Sequence, residues 1–134
     1  MTDGSGRRDI QDRAFRFACR LVAASERLIR RGGVAALIGR QLAAAGTSIG
    51  ANLEEASGAQ SRPDFIAKVS IALKEARETR YWLRLVIATQ QPVPADAIAL
   101  GRESDELVAI LTVILRNARS KRAESAGDEP EGRS

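Results

Sequence analysis

Apolar residues recur at three-, four- and seven-residue steps through four successive segments of this chain, and glycine or proline punctuates each join. That period is helical, and no alternating apolar and polar run of useful length competes with it. The first segment covers residues 9–31, where Ile10, Ala14, Phe17, Leu21 and Leu28 share a face and Gly32-Gly33 supplies the stop. The second covers residues 34–57, with a narrow stripe of Ile38, Leu42, Ala45, Ile49, Leu53 and Ala56. Ala43, Ala44, Gly46, Gly50 and Ala51 flank that stripe with so little bulk that a neighbouring backbone can approach closely. The third covers residues 62–90 and opens on Ser61-Arg62-Pro63-Asp64, a capping hydroxyl, an early proline and a first-turn acid. After Pro92-Val93-Pro94 the fourth covers residues 95–119, with Ile98, Leu100, Leu107, Ile110, Leu111, Ile114 and Leu115. Helices of roughly 40 Å, at about 1.5 Å per residue, joined by short breaks, predict an all-α, up-and-down four-helix bundle over residues 9–119. Residues 1–8 read as a flexible start and residues 120–134 as a disordered acidic tail.

A chain of 134 residues, 44% of them hydrophobic, has room for one such core and not for two. Its chemistry is narrow. Histidine is absent and Cys19 is the sole cysteine, so one subunit cannot build a Cys/His zinc site, a disulfide, a Ser-His-Asp triad or a Cys-His pair. No enzyme activity, cofactor, metal or catalytic residue is expected. Cys19, in an apolar helix with no base to activate it, reads as a small buried hydrophobe. Glu54 and Glu55 point about 100° apart and cannot act as a pair, while Glu75 and Glu78 read as helix ion-pair partners of Lys74, Arg77 and Arg80. No segment reaches the ~18 uninterrupted apolar residues of a membrane span, and the start carries no secretory pattern, so a cytoplasmic location is expected.

Function should lie in what the core does not use. On the third helix, Phe65, Val69, Ala72, Ala76, Leu83 and Ile87 suffice for the bundle, yet Ile71, Trp82 and Leu85 fall on another flank with Tyr81 beside them. A helix apolar on two sides must bury the second side, which predicts self-association through Ile71, Tyr81, Trp82 and Leu85. On the first helix, Arg13, Arg16, Arg20, Arg27 and Arg31 project within an arc of about 60°. The third adds Arg77, Arg80 and Arg84 on one edge. Residues 7–31 hold eight arginines against three acids, so this one helix carries more positive charge than the chain's net +4. Stripes of guanidinium groups suit a phosphate backbone. The competing use is pairing with acids such as Glu54, Glu55, Glu75, Glu78 and Glu106 across subunits. Ser48 and Asn52, with Gln41 two turns back, are expected to form a buried hydrogen-bond network that fixes helix register.

The run TSIGANLEEASGAQSRPDF from Thr47 to Phe65, followed by IAKVSIALKEARETRYWLRL from Ile66 to Leu85, resembles the central signature of the four helix bundle proteins also called 23S ribosomal RNA intervening-sequence proteins. The likeness extends over residues 10–117. It implies a left-handed up-and-down bundle that assembles as a homopentamer. The accessory variability determinant of diversity-generating retroelements is similar, a basic pentameric bundle that binds nucleic acid and a reverse transcriptase. The resemblance therefore adds RNA, and a nucleic-acid-processing protein, to the expected partners. The reading that follows is a non-enzymatic oligomer binding structured nucleic acid through its arginine stripes. Its alternative is a protein-interaction scaffold whose arginines make intersubunit or acidic-partner contacts.

Overall fold

The computed structural model describes residues 4–127 and contains four helices: α1 Gly4–Arg31, α2 Gly33–Ser57, α3 Arg62–Thr89 and α4 Ala97–Gly127. Among the described residues there is no strand. Each helix packs extensively on the next in sequence, while α1 and α4 meet only lightly, as in an up-and-down bundle.

The breakers act where expected. Gly32 and Gly33 both take positive φ, 77° and 58°, a region costly for residues with a Cβ, so the chain reverses between α1 and α2 across a single residue. Ser61 caps α3 by accepting the Asp64 N–H at 3.2 Å, and Asp64 reaches back to accept the Gln60 N–H at 3.4 Å. Two ends differ from expectation. Residues 4–8 are already helical, and residues 120–127, expected to be disordered, continue α4. Ala118 is its last buried residue, and residues 119–127 are all exposed, so no packing holds the extension. Lys121, Arg122, Ala123 and Glu124 are good helix formers, and adding residues to an existing helix is far easier than starting one. The rest of the expected tail, residues 128–134, and residues 1–3 lie outside the described residues.

Core positions recur at steps of three, four and seven. They are Ile10, Ala14, Phe17, Leu21, Ala24 and Leu28 on α1, and Leu42, Ala45, Ile49, Leu53 and Ala56 on α2. Val69, Ala72, Ala76, Leu83 and Val86 on α3 meet Leu100, Leu107, Leu111 and Leu115 on α4. A repeat near 3.5 residues keeps one seam facing its neighbours along the whole length of a bundle. The α1–α2 seam is the tightest. A Cβ on Gly46 would stand 2.3 Å from Leu21 Cδ2, and one on Gly39 would stand 2.9 Å from the Ser25 carbonyl oxygen. Gly50 is looser, its nearest neighbours being Ala14 atoms at 3.8 Å. Close packing by small residues thus centres on Gly39 and Gly46, not on the Gly46 and Gly50 pair.

Three expectations about single residues are corrected. Cys19 is exposed, because it lies about 200° around α1 from Phe17 and so faces away from the core. Gln41, Ser48 and Asn52 form no buried network. Gln41 is exposed, the Ser48 hydroxyl donates to the Ala44 carbonyl at 2.8 Å, and the Asn52 amide donates to the Ser48 carbonyl at 2.8 Å. The buried polar side chains are instead Ser25, Thr79 and Ser104. Thr79 and Ser104 donate back to the Glu75 and Gly101 carbonyls of their own helices, each at 2.7 Å. Glu75 makes no ion pair among the described residues; burial, then the Glu78 charge, pushes its carboxyl above the usual range.

Candidate nucleic-acid interface

The arginines of the α1 stripe divide into two groups. Arg13 crosses to α4, where Nε donates to Glu103 Oε2 at 2.7 Å and Nη2 donates to Glu103 Oε1 at 2.9 Å, with a further contact to Glu106. This two-pronged pairing holds the Glu103 carboxyl below its usual range and raises the Arg13 guanidinium further above its own. At the far end of α1, Arg27 lies 3.5 Å from Asp96, and Arg31 Nη2 donates to the Pro92 carbonyl at 2.9 Å. These three arginines tie α1 to the N-terminal half of α4 and the loop before it, across the lightest seam of the bundle. Arg16 and Arg20 are exposed and make no hydrogen bond to a carboxylate among the described residues. The Arg20 charge reaches Glu103 only as a weak electrostatic contribution.

The α3 edge divides likewise. Arg80 approaches Asp105 of α4 at 3.9 Å, whereas Arg77 and Arg84 are exposed with no ion pair among the described residues. Arg84 stands with Tyr81, Leu85, Ile87 and Ala88 around an open depression. Arg77 lines a groove together with two α4 residues that no single helical wheel singles out, Arg116 and Arg119. A signal for them did exist. The described acids of α4 are Glu103, Asp105, Glu106 and Glu124, so the stretch from Leu107 to Ala123 carries Arg116, Arg119, Lys121 and Arg122 with no acid at all.

Several acids that could have answered the arginines from a neighbouring subunit are engaged within the chain. Glu55 pairs with Lys68 at 3.0 Å, Glu106 contacts Arg13, and Glu78 accepts the Trp82 Nε1–H at 3.3 Å. The surplus apolar flank of α3 is also partly satisfied. Trp82 and Leu85 are half-buried against the core, and Tyr81 meets Trp82 edge to face at 5.3 Å. Ile71 and Tyr81 remain exposed, at 40% and 55%. A second apolar surface escaped the sequence reading: Phe15, Cys19 and Val22 follow one outer line of α1, and Val34 and Leu37 stand exposed on α2. Groups of histidine, cysteine and carboxylate able to hold a metal do not occur among the described residues. No helix among them is long and apolar enough to cross a membrane.

Comparison with known proteins places this arrangement. The family of 23S rRNA-intervening sequence proteins matches residues 7–113. Among solved structures, a protein of unknown function from the S23 ribosomal protein family of Bacteroides thetaiotaomicron is 38% identical. The alignment covers 82% of this chain and 97% of that one, with a TM-score of 0.74. No curated protein shows significant similarity.

Proposed function

The chain belongs to the 23S rRNA-intervening sequence protein family, and from that premise we propose that it is a non-enzymatic, oligomeric helical bundle that binds structured nucleic acid, RNA in the first place. The observation that carries this reading is the sorting of the arginines. Arg13, Arg27 and Arg80 have acidic partners within the chain, while Arg16, Arg20, Arg77 and Arg84 stay exposed without one. Exposed guanidinium groups in rows repel one another and are relieved by an anion with repeated charges, of which the phosphodiester backbone is the general case. The assembly proposed is a homo-oligomer, the homopentamer that the family resemblance implies, with Ile71 and Tyr81 at the contact and Trp82 and Leu85 behind them.

The test is binding of a mixed RNA and DNA pool in about 150 mM salt, comparing wild type with an Arg16→Gln/Arg20→Gln variant. Two lost phosphate contacts should weaken binding by about tenfold or more. Because neither side chain makes an intramolecular contact of consequence, helicity and oligomer size should not change. Wild-type protein that binds neither nucleic acid ends this reading. The scaffold alternative is favoured by the exposed Phe15, Val34 and Leu37, and it predicts an oligomer that dissociates with salt and purifies free of nucleic acid, read from absorbance at 260 and 280 nm.

A further inference from the structure

We propose that the groove between α3 and the C-terminal half of α4 is a site for the phosphodiester backbone of a single nucleic-acid strand. The inference rests on the nucleic-acid reading above and adds a location that neither arginine stripe defines. The groove has a volume of about 570 Å³ and is open to solvent. Lys74 and Arg77 stand on the α3 wall, and Arg116 and Arg119 on the α4 wall. Buried Leu73 and Leu115 form the floor. None of the lining residues is acidic, and none of the four cations makes an ion pair among the described residues.

Three features turn this collection of cations into a site. The charges face one another across a concavity, so a bound strand is held from both sides, whereas a row on one helix touches it from one side only. Small residues make the space: Ser70 on α3 and Ser120 and Ala123 on α4 leave the walls apart where α4 runs beyond Ala118, its last buried residue. The lining also presents the hydroxyls of Ser70 and Ser120 as donors, whereas the Thr112 hydroxyl donates its proton to the Val108 carbonyl at 2.7 Å. Along α4 the lining runs from Thr112 to Ala123, roughly 17 Å at 1.5 Å per residue, enough for several consecutive phosphates. No aromatic residue lines the groove, so there is no platform for base stacking and recognition is confined to the backbone.

The test uses the full chain with two probes, a 12-nucleotide single-stranded RNA and inorganic tripolyphosphate. Wild type should bind the RNA with little regard to its sequence, and tripolyphosphate should compete. An Arg116→Gln/Arg119→Gln variant should lose at least tenfold in tripolyphosphate affinity, and its RNA salt dependence should become shallower by about 1.4 in log–log slope, two contacts at about 0.7 each. The Arg16→Gln/Arg20→Gln variant should keep wild-type affinity for tripolyphosphate. RNA binding that the groove variant leaves unchanged in affinity and slope would overturn the groove and leave the nucleic-acid reading standing. Tripolyphosphate binding without RNA binding, or binding of neither, would overturn both.

Discussion

Arg13 is the residue on which the two uses of a basic stripe diverge. By sequence it belongs with Arg16 and Arg20; in the fold it is spent on Glu103 and Glu106. A helical wheel locates the face of α1 on which Arg13 sits, but its partner depends on the register of α1 against α4, which no local pattern encodes. Both side chains of the Arg13–Glu103 pair are partly shielded, at 32% and 19% exposure, so the pairing outweighs a fully solvated ion pair. Glu103→Gln should therefore cost about 1–2 kcal/mol at neutral pH in urea unfolding. Its pH dependence has a definite sign. Arg13 holds the Glu103 carboxyl below the 4.5 of an unperturbed glutamate, so its stabilisation is present above that value and is lost as pH falls through the folded one. Wild-type stability should decline over that acid window more steeply than that of Glu103→Gln, and equal stabilities of the two proteins at pH 7 would refute the pairing.

Within the helices, what could be read from sequence was whatever a local pattern encodes. The three-and-four alternation of Ile10, Ala14, Phe17 and Leu21, the Gly32-Gly33 reversal and the Ser61 cap each place an element without knowledge of its neighbours. What escaped required two helices at once. Gly39 matters because Ser25 lies against it, and Arg116 and Arg119 matter because Arg77 faces them across a groove. The Ser48 and Asn52 expectation failed for a related reason. Polar residues four apart on one helix can bond to their own backbone and need no partner helix. Contrasting glycines test the α1–α2 seam. Gly50→Ala gains helix propensity of about 1 kcal/mol with its Cβ in ordinary contact, whereas Gly46→Ala forces the fully buried Leu21 to move. Thermal unfolding should find Gly46→Ala less stable than Gly50→Ala by at least about 1 kcal/mol, and the reverse order would mean that the seam is looser than drawn.

Across the whole molecule, charge and apolar surface are each divided. Glu103 and Glu106 of α4 and Asp96 of the loop before it engage Arg13 and Arg27, so unpaired cations are left at Arg16 and Arg20 on α1, at Arg84 on α3 and around the groove beside the end of α4. Exposed apolar side chains occur on every helix: Phe15 and Val22 on α1, Val34 and Leu37 on α2, Ile71 and Tyr81 on α3, and Ile98 and Val113 on α4. A chain this small keeps such surfaces wet only at a cost, which is consistent with the oligomer proposed above. The measurement closest to the central claim is the affinity of the wild-type protein for single-stranded RNA across salt concentrations. Contacts from Arg16, Arg20, Arg77 and Arg84 predict a log–log slope of at least about 3 in magnitude, at roughly 0.7 per contact, and the groove residues Lys74, Arg116 and Arg119 steepen it further. A slope near zero, or no binding even at about 50 mM salt, would contradict the account.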